Sequence, residues 1–211
     1  VIYYVLLVLI IGFGLFLRLK QYFNAYPIWQ DELLVHQNII FYPFSHCFQK
    51  LNDYQMAPPL WLCLNKLITF WGGNDNILII RIISILFGCA SLFIFPLLLN
   101  KVLKNKFPVL IGMFLFAVNG ILVYYSAEFK PYISDVFVFI LLFLLYDKID
   151  FSTPKKFIFW LFIFFLTPFY SFTSLIALGA VLITKTLDIF FSKEQSVKQK
   201  ALYCLKLASA G

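Results

Sequence analysis

Long apolar runs set off by short polar stretches organise this chain. Residues 1–17, 78–99, 107–125 and 133–146 carry almost no charge. Beyond Lys155 and Lys156, a further apolar stretch fills 157–191, interrupted at Thr167-Pro168 and Tyr170-Ser171. A helix that crosses the hydrocarbon layer needs about 20 mostly apolar residues. The first three runs therefore predict one crossing each, and the fourth a shorter one. The last stretch is too long for one crossing and predicts two, bent back near Pro168 to Ser171. The predicted fold is all-α: a polytopic transmembrane helix bundle of about six spans.

The segment from about 19 to 77 is more polar but keeps helical patterning. Over 31–42, Leu33, Leu34, Ile40 and Phe41 form an apolar stripe. Residues 58–71 open with Pro58-Pro59, suited to a first helical turn. They go on to carry Leu60, Trp61, Leu64, Leu67, Ile68 and Trp71. Tryptophan and tyrosine favour the membrane–water boundary, which predicts two helices lying along the outer surface in this first external loop. Gly72-Gly73-Asn74-Asp75 predicts a break that caps the second span.

Composition agrees with this solvent. Hydrophobic residues form 62% of the chain and charged residues 13%, whereas a soluble domain is nearer half and a quarter. The net charge of +7 would suit nucleic acid. The lysines, however, sit in short stretches between apolar runs, the pattern of cytoplasmic membrane loops, which argues against a nucleic-acid partner. With six spans, the clusters Lys101/Lys104/Lys106, Lys148/Lys155/Lys156 and Lys185/Lys193/Lys198/Lys200 all fall on one side, which the positive-inside rule makes cytoplasmic. A single crossing over 157–191 would put the last cluster outside, so the charges also favour two.

The chain opens at Val1 with no charged leader or small-residue cleavage site and closes at Ser209-Ala210-Gly211. It reads as a fragment whose first apolar run is a membrane helix and not a signal peptide. Of four cysteines, Cys89 lies in an apolar run and Cys204 near the end. Cys47 and Cys63 share the outer loop, as a disulfide if that loop faces an oxidising compartment or as two free thiols.

Four groups of residues carry candidate chemistry. Trp29-Gln30-Asp31-Glu32 sets two adjacent carboxylates at the outer surface. Neighbours on a helix point about 100° apart, so one carboxylate acts on substrate while the other orients it, or the pair only caps a helix through its dipole. Gln55-Met56-Ala57-Pro58-Pro59-Leu60 is a rigid helix entry. Tyr124-Tyr125-Ser126-Ala127-Glu128-Phe129-Lys130-Pro131-Tyr132, with Asp135, packs charge and tyrosines at the outer ends of two spans. There Lys130 and the start of the fourth span suit a phosphate, or Lys130 pairs with Glu128 or Asp135. Arg81, one turn into the second span, either snorkels to headgroups or reaches a lipid phosphate. An acidic pair and cations at one membrane face are what inverting sugar transfer needs: a carboxylate to deprotonate the acceptor and cations to hold the departing phosphate.

The order of a span, Trp29-x-Asp31-Glu32, Pro58-Pro59-Leu60, Arg81 with Ser84, then Tyr125-Ser126-x-Glu128-x-Lys130-Pro131-Tyr132 resembles the glycosyltransferase C superfamily. It is most similar to the dolichyl-phosphomannose–protein mannosyltransferases and the bacterial aminoarabinose transferases that modify lipid A. The resemblance runs through almost all of 1–211 and implies the N-terminal part of such an enzyme. It implies transfer of a sugar from a polyprenyl-phosphate carrier to a lipid, glycan or protein acceptor at the non-cytoplasmic face of the bacterial inner membrane. By motif position Asp31 would be the catalytic base, with Glu32 beside it. Lys130 would contact the carrier phosphate where the family usually has an arginine, a point charge in place of a bidentate fork. Arg81, Glu128 and Tyr132 complete the expected substrate-binding set. No histidine stands beside Pro58-Pro59, and His36 and His46 do not replace it, so no metal is assigned and a divalent cation is left open. The rival readings are a transporter or lipid-linked-sugar flippase with the same charges along a path, and an inactive scaffold.

Overall fold

The computed structural model describes residues 1–73, 76–150 and 153–191. All regular structure among them is helical. The first run becomes α1 (Ile2–Phe23), which continues past Leu17 and takes Arg18 and Lys20 into the helix. A turn with Ala25 at a φ of 45° leads to α2 (Gln30–Ile40). A 3₁₀ turn over Phe44–Phe48 and the helix α3 (Pro59–Gly72) complete the loop between the first two apolar runs. Pro58 and Pro59 open α3, and Gly73, at a φ of 95°, ends it. Asn74 and Asp75 lie outside the described residues. The cap of the following helix comes from Asn76, whose side chain accepts from Leu78 N at 3.0 Å.

The second run is broken once. A single turn, α4 (Ile77–Ile80), precedes α5 (Ile82–Val102), with Arg81 at the junction. The third run also divides, into α6 (Lys106–Val118) and α7 (Gly120–Tyr125), because Asn119 leaves the helix and caps the next one from its side chain. The fourth becomes α8 (Tyr132–Leu145). The last becomes α9 (Pro154–Tyr170), capped by Thr153, and α10 (Ser174–Phe191). The chain bends back at Ser171-Phe172-Thr173, while Pro168 stays inside α9.

Among the described residues two helices, Ile2–Phe23 and Ile82–Val102, are long and apolar enough to cross a membrane. Their 22 and 21 residues span about 30 Å at 1.5 Å per residue. The full set of six predicted crossings is not met by six such helices. Asn119 splits the third, and the 14 residues of α8 and 17 of α9 fall short of that length. The apolar faces nonetheless extend beyond α1 and α5. Phe107, Phe114, Ile158, Phe162, Phe165 and Ile176 stand exposed on α6, α9 and α10.

The central helix is α5, packed on α1, α6 and α8. Leu92, Met113 and Ala117 fill the contact among α1, α5 and α6. Trp160, Phe164, Ala177 and Val181 join α9 and α10 to Val138 and Leu142 of α8. Gly88 lets the 126–131 segment lie on α5: a Cβ there would collide with the Ser126 side chain. Arg18, just beyond the first apolar run, is fully buried. It donates to Gly14 O at 3.2 Å and Ala117 O at 3.0 Å, satisfying a carbonyl that the break at Asn119 frees from the helix ladder.

The charged groups divide between the two ends of this bundle. Lys101 pairs with Asp147 at 2.9 Å, Lys106 lies over the Tyr3 and Tyr4 rings, and Lys185 over Tyr146. Asp31, Glu32, Arg81, Glu128 and Lys130 gather at the other end, against the outer loop. Lys193, Lys198, Lys200 and Cys204 lie outside the described residues.

Candidate functional site

Helix geometry separates the two carboxylates of Asp31-Glu32 as their 100° offset requires. Glu32 turns inward and is 1% exposed, whereas Asp31 turns outward and is 59% exposed on its side chain. Each then finds a different cation.

Glu32 is saturated. Arg81 Nε donates to its Oε1 at 3.0 Å and Arg81 Nη2 to its Oε2 at 2.6 Å, a bidentate fork between two buried side chains. The Phe129 amide also donates to Oε1, and the Trp29 amide to Oε2 at 3.4 Å, closing the first turn of α2. Arg81 Nη1 donates to Tyr26 O at 2.8 Å. One ion pair thus ties together the entry to α2, the α4–α5 junction and the 126–131 segment. Trp61 and Phe129, both buried and with ring centroids 5.2 Å apart, exclude water beside it. Glu32 and Arg81, expected among the groups that meet substrate, have no direction left in which to do so. They hold these segments of the chain together.

Asp31 is the open member. Lys130 Nζ lies 2.8 Å from its Oδ2. Gln55 bridges the two, donating to Asp31 Oδ1 at 3.1 Å and accepting from Lys130 Nζ at 3.3 Å. Lys130 is 8% exposed as a residue, so the pair presents its carboxylate to solvent and keeps its cation behind. The bonds from Lys130 and Gln55, with the lysine charge, hold the Asp31 carboxyl below the usual aspartate range. The local pairings Lys130–Glu128 and Lys130–Asp135 give way to this long-range one.

Gln55 is the functional residue that sequence reasoning undervalues. It reads as part of a helix entry, yet the chain bends sharply to deliver it. Asp53 and Tyr54, just before it, both sit in the left-handed region at a φ of 57°, a costly conformation for an aromatic residue that surrounding contacts must impose. The signal available in the sequence is the polar pair Asn52-Asp53 shortly before Pro58-Pro59, which fixes where the bend falls but not what it reaches.

Glu128 belongs to neither pair. Trp29 Nε1 donates to its Oε2 at 3.0 Å, and Ser84 Oγ holds its backbone carbonyl at 2.5 Å. Burial, and then the neighbouring Glu32 charge, push its carboxyl above the usual glutamate range, against the bonds from Trp29 and Tyr124. A carboxyl raised by folding costs stability as pH rises through the ordinary glutamate value and on through its folded value. Glu128→Gln, which keeps an oxygen for the Trp29 indole, is therefore expected to flatten that loss. Melting profiles of the two proteins between about pH 4 and 8 check this, and parallel profiles would refute it. Tyr132, 45% exposed, meets the Tyr125 ring edge-on at 4.8 Å and stands one turn before Asp135.

Two grooves lie in the bundle, and the first adjoins the site through Gln55. One of about 440 Å³ is lined by Cys47, Leu51, Tyr54, Gln55, Met56 and Phe172. The other, about 360 Å³ and almost wholly apolar, runs among Leu60, Phe87, Phe137, Leu142, Leu166 and Tyr170 between α3, α5, α8 and α9. Gln55 belongs both to the first groove's wall and to the Asp31–Lys130 bridge. Among the described residues no group of three His, Cys, Asp or Glu side chains converges as a metal would require. Comparison with protein-family models, with curated proteins and with solved structures finds no match to this chain.

Proposed function

We propose that this chain is part of a multi-spanning membrane glycosyltransferase that moves a sugar from a polyprenyl-phosphate carrier to an acceptor hydroxyl. The observation that carries the reading is the solvent-facing Asp31 carboxylate held against the buried Lys130 at one end of an apolar helix bundle. It joins a base and a phosphate-binding cation in one site, as the resemblance to the glycosyltransferase C enzymes implies.

In this reading α6 and α7 make one crossing and α8, α9 and α10 three more, giving six with α1 and α5. The lysine-bearing end faces the cytoplasm and the outer loop the opposite side of a bacterial inner membrane. The carrier's prenyl chain lies in the apolar groove between α3, α5, α8 and α9. Its phosphate meets Lys130, and the acceptor (a lipid, a glycan or a protein) approaches Asp31.

The acceptor hydroxyl gives its proton to the Asp31 carboxylate as its oxygen bonds to the anomeric carbon. The bond from that carbon to the phosphate oxygen breaks, and the electron pair leaves on the phosphate. A single displacement inverts the anomeric carbon. Lys130 gains strength as negative charge grows on the departing phosphate, so its effect falls on the transition state. That growing charge also draws Lys130 away from Asp31, which frees the carboxylate to take up the acceptor proton.

The test uses the full-length protein in proteoliposomes with a panel of polyprenyl-phosphate sugars. Mass spectrometry follows free polyprenyl phosphate. The expected result is release that depends on an acceptor-containing extract. Movement of intact lipid-linked sugar across the bilayer without release would instead favour a flippase.

A further inference from the structure

Cys47 ends in the 3₁₀ turn Phe44–Phe48 and Cys63 in the second turn of α3. Both are buried, in one apolar cluster with Leu51, Ala57, Trp61 and Leu62. The 3₁₀ turn packs on α3, and the two cysteines, both free thiols in the structure, lie near enough to influence one another. Two thiols brought together in this manner are either a chance of packing or the reduced form of a crosslink.

We propose that Cys47 and Cys63 are joined by a disulfide in the working protein. The inference rests on the orientation proposed above, with the first loop in the oxidising compartment, and not on sugar transfer. In the step, the two thiols give up two protons and two electrons and form one sulfur–sulfur bond. A disulfide-bearing oxidant is reduced to two thiols by exchange. Both cysteines are buried once the loop has closed, so an oxidant reaches them while it is still open, and the same burial then shields the bond from reductants.

The crosslink has a place to act. It closes the roughly 15 residues that separate the two cysteines, and that segment carries the left-handed turn at Asp53-Tyr54 and the side chain of Gln55. Fixing it holds Gln55 against Asp31 and Lys130 and fixes one wall of the groove beside them. Cys89, on α5 and distant in sequence, provides an internal control.

The experiment blocks free thiols with a maleimide at cell lysis, then denatures and digests the full-length protein. The expected product is one linked peptide pair carrying Cys47 and Cys63 that separates only after reduction, while Cys89 is alkylated throughout. Reduction should also lower the melting temperature by several degrees, and not in Cys47→Ser/Cys63→Ser. Cys47 and Cys63 both alkylated without reduction would overturn the proposal. Sidedness is read separately from Tyr54→Cys, an exposed position of the same loop, placed in the Cys47→Ser/Cys63→Ser background. An impermeant maleimide should label it in intact cells. Labelling together with free native thiols rejects the disulfide and leaves the orientation standing. Labelling only after permeabilisation rejects the orientation and the disulfide with it.

Discussion

Glu32→Ala in the full-length protein is expected to cost about 3–5 kcal/mol of stability, because it leaves the Arg81 guanidinium buried without its counter-charge. Arg81→Ala should cost as much, from the opposite side. Both partners are almost fully buried, at 2% and 1% exposure, so solvent cannot take over the lost interaction. Such a loss exceeds what most single substitutions cause and should appear as aggregation of the detergent-solubilised protein at a much lower temperature.

The decisive variant is the double one. Glu32→Met with Arg81→Met removes both charges and refills the volume, so it should be markedly more stable than either single change. It should still fall short of wild type, since the Phe129 amide and the Tyr26 carbonyl lose their partners, and each orphaned buried group costs about 1–3 kcal/mol. Single variants as stable as wild type would remove the pair from the centre of the site. A double variant no better than the singles would mean that the loss comes from packing and not from stranded charge.

The helical class and the outer-loop helices were legible in the sequence because both rest on local pattern. The predicted 31–42 and 58–71 differ from α2 and α3 by a residue or two at each end. The bend after Pro168 was placed within a few residues, at Ser171-Phe172-Thr173. What could not be read was set by contacts distant in the chain. Arg18 reads as a flank because it follows the last apolar residue, yet it is buried by a carbonyl 99 residues away. Asn119 reads as one polar residue in an apolar run, and only its capping bond to Leu122 shows a helix ending there.

The site divides in the same way. That two adjacent carboxylates must face apart follows from helix geometry, so one outward and one inward role was foreseeable. Which of them faced in was not, because Arg81 lies 49 residues from Glu32, and Phe129 lies 97. Gln55 went unweighted for the same reason: its partners are 24 and 75 residues distant.

Asp31→Asn is expected to lower turnover by about 10²–10⁴-fold, the usual worth of a positioned general base, while costing less stability than Glu32→Ala, because asparagine keeps an oxygen for the buried Lys130. That split separates Asp31 from Glu32: one variant folds and fails to react, the other fails to fold. The pH profile adds a second reading. Asp31 must be ionised to accept a proton, and Lys130 and Gln55 hold its carboxyl below the usual aspartate range. In the free protein, therefore, kcat/KM should stay level as pH falls through about 4 and drop only below it. Lys130→Gln removes the largest cause of that lowering, so its acid limb should move up to the ordinary carboxylate value. On the proposed transfer the same variant would lose the cation that faces the departing phosphate, so its kcat should fall more than its affinity for the carrier. If Lys130→Gln instead weakens carrier binding with kcat unchanged, Lys130 grips the resting phosphate and does not exchange partners during transfer. If the acid limb fails to move, the carboxylate that sets it is not Asp31.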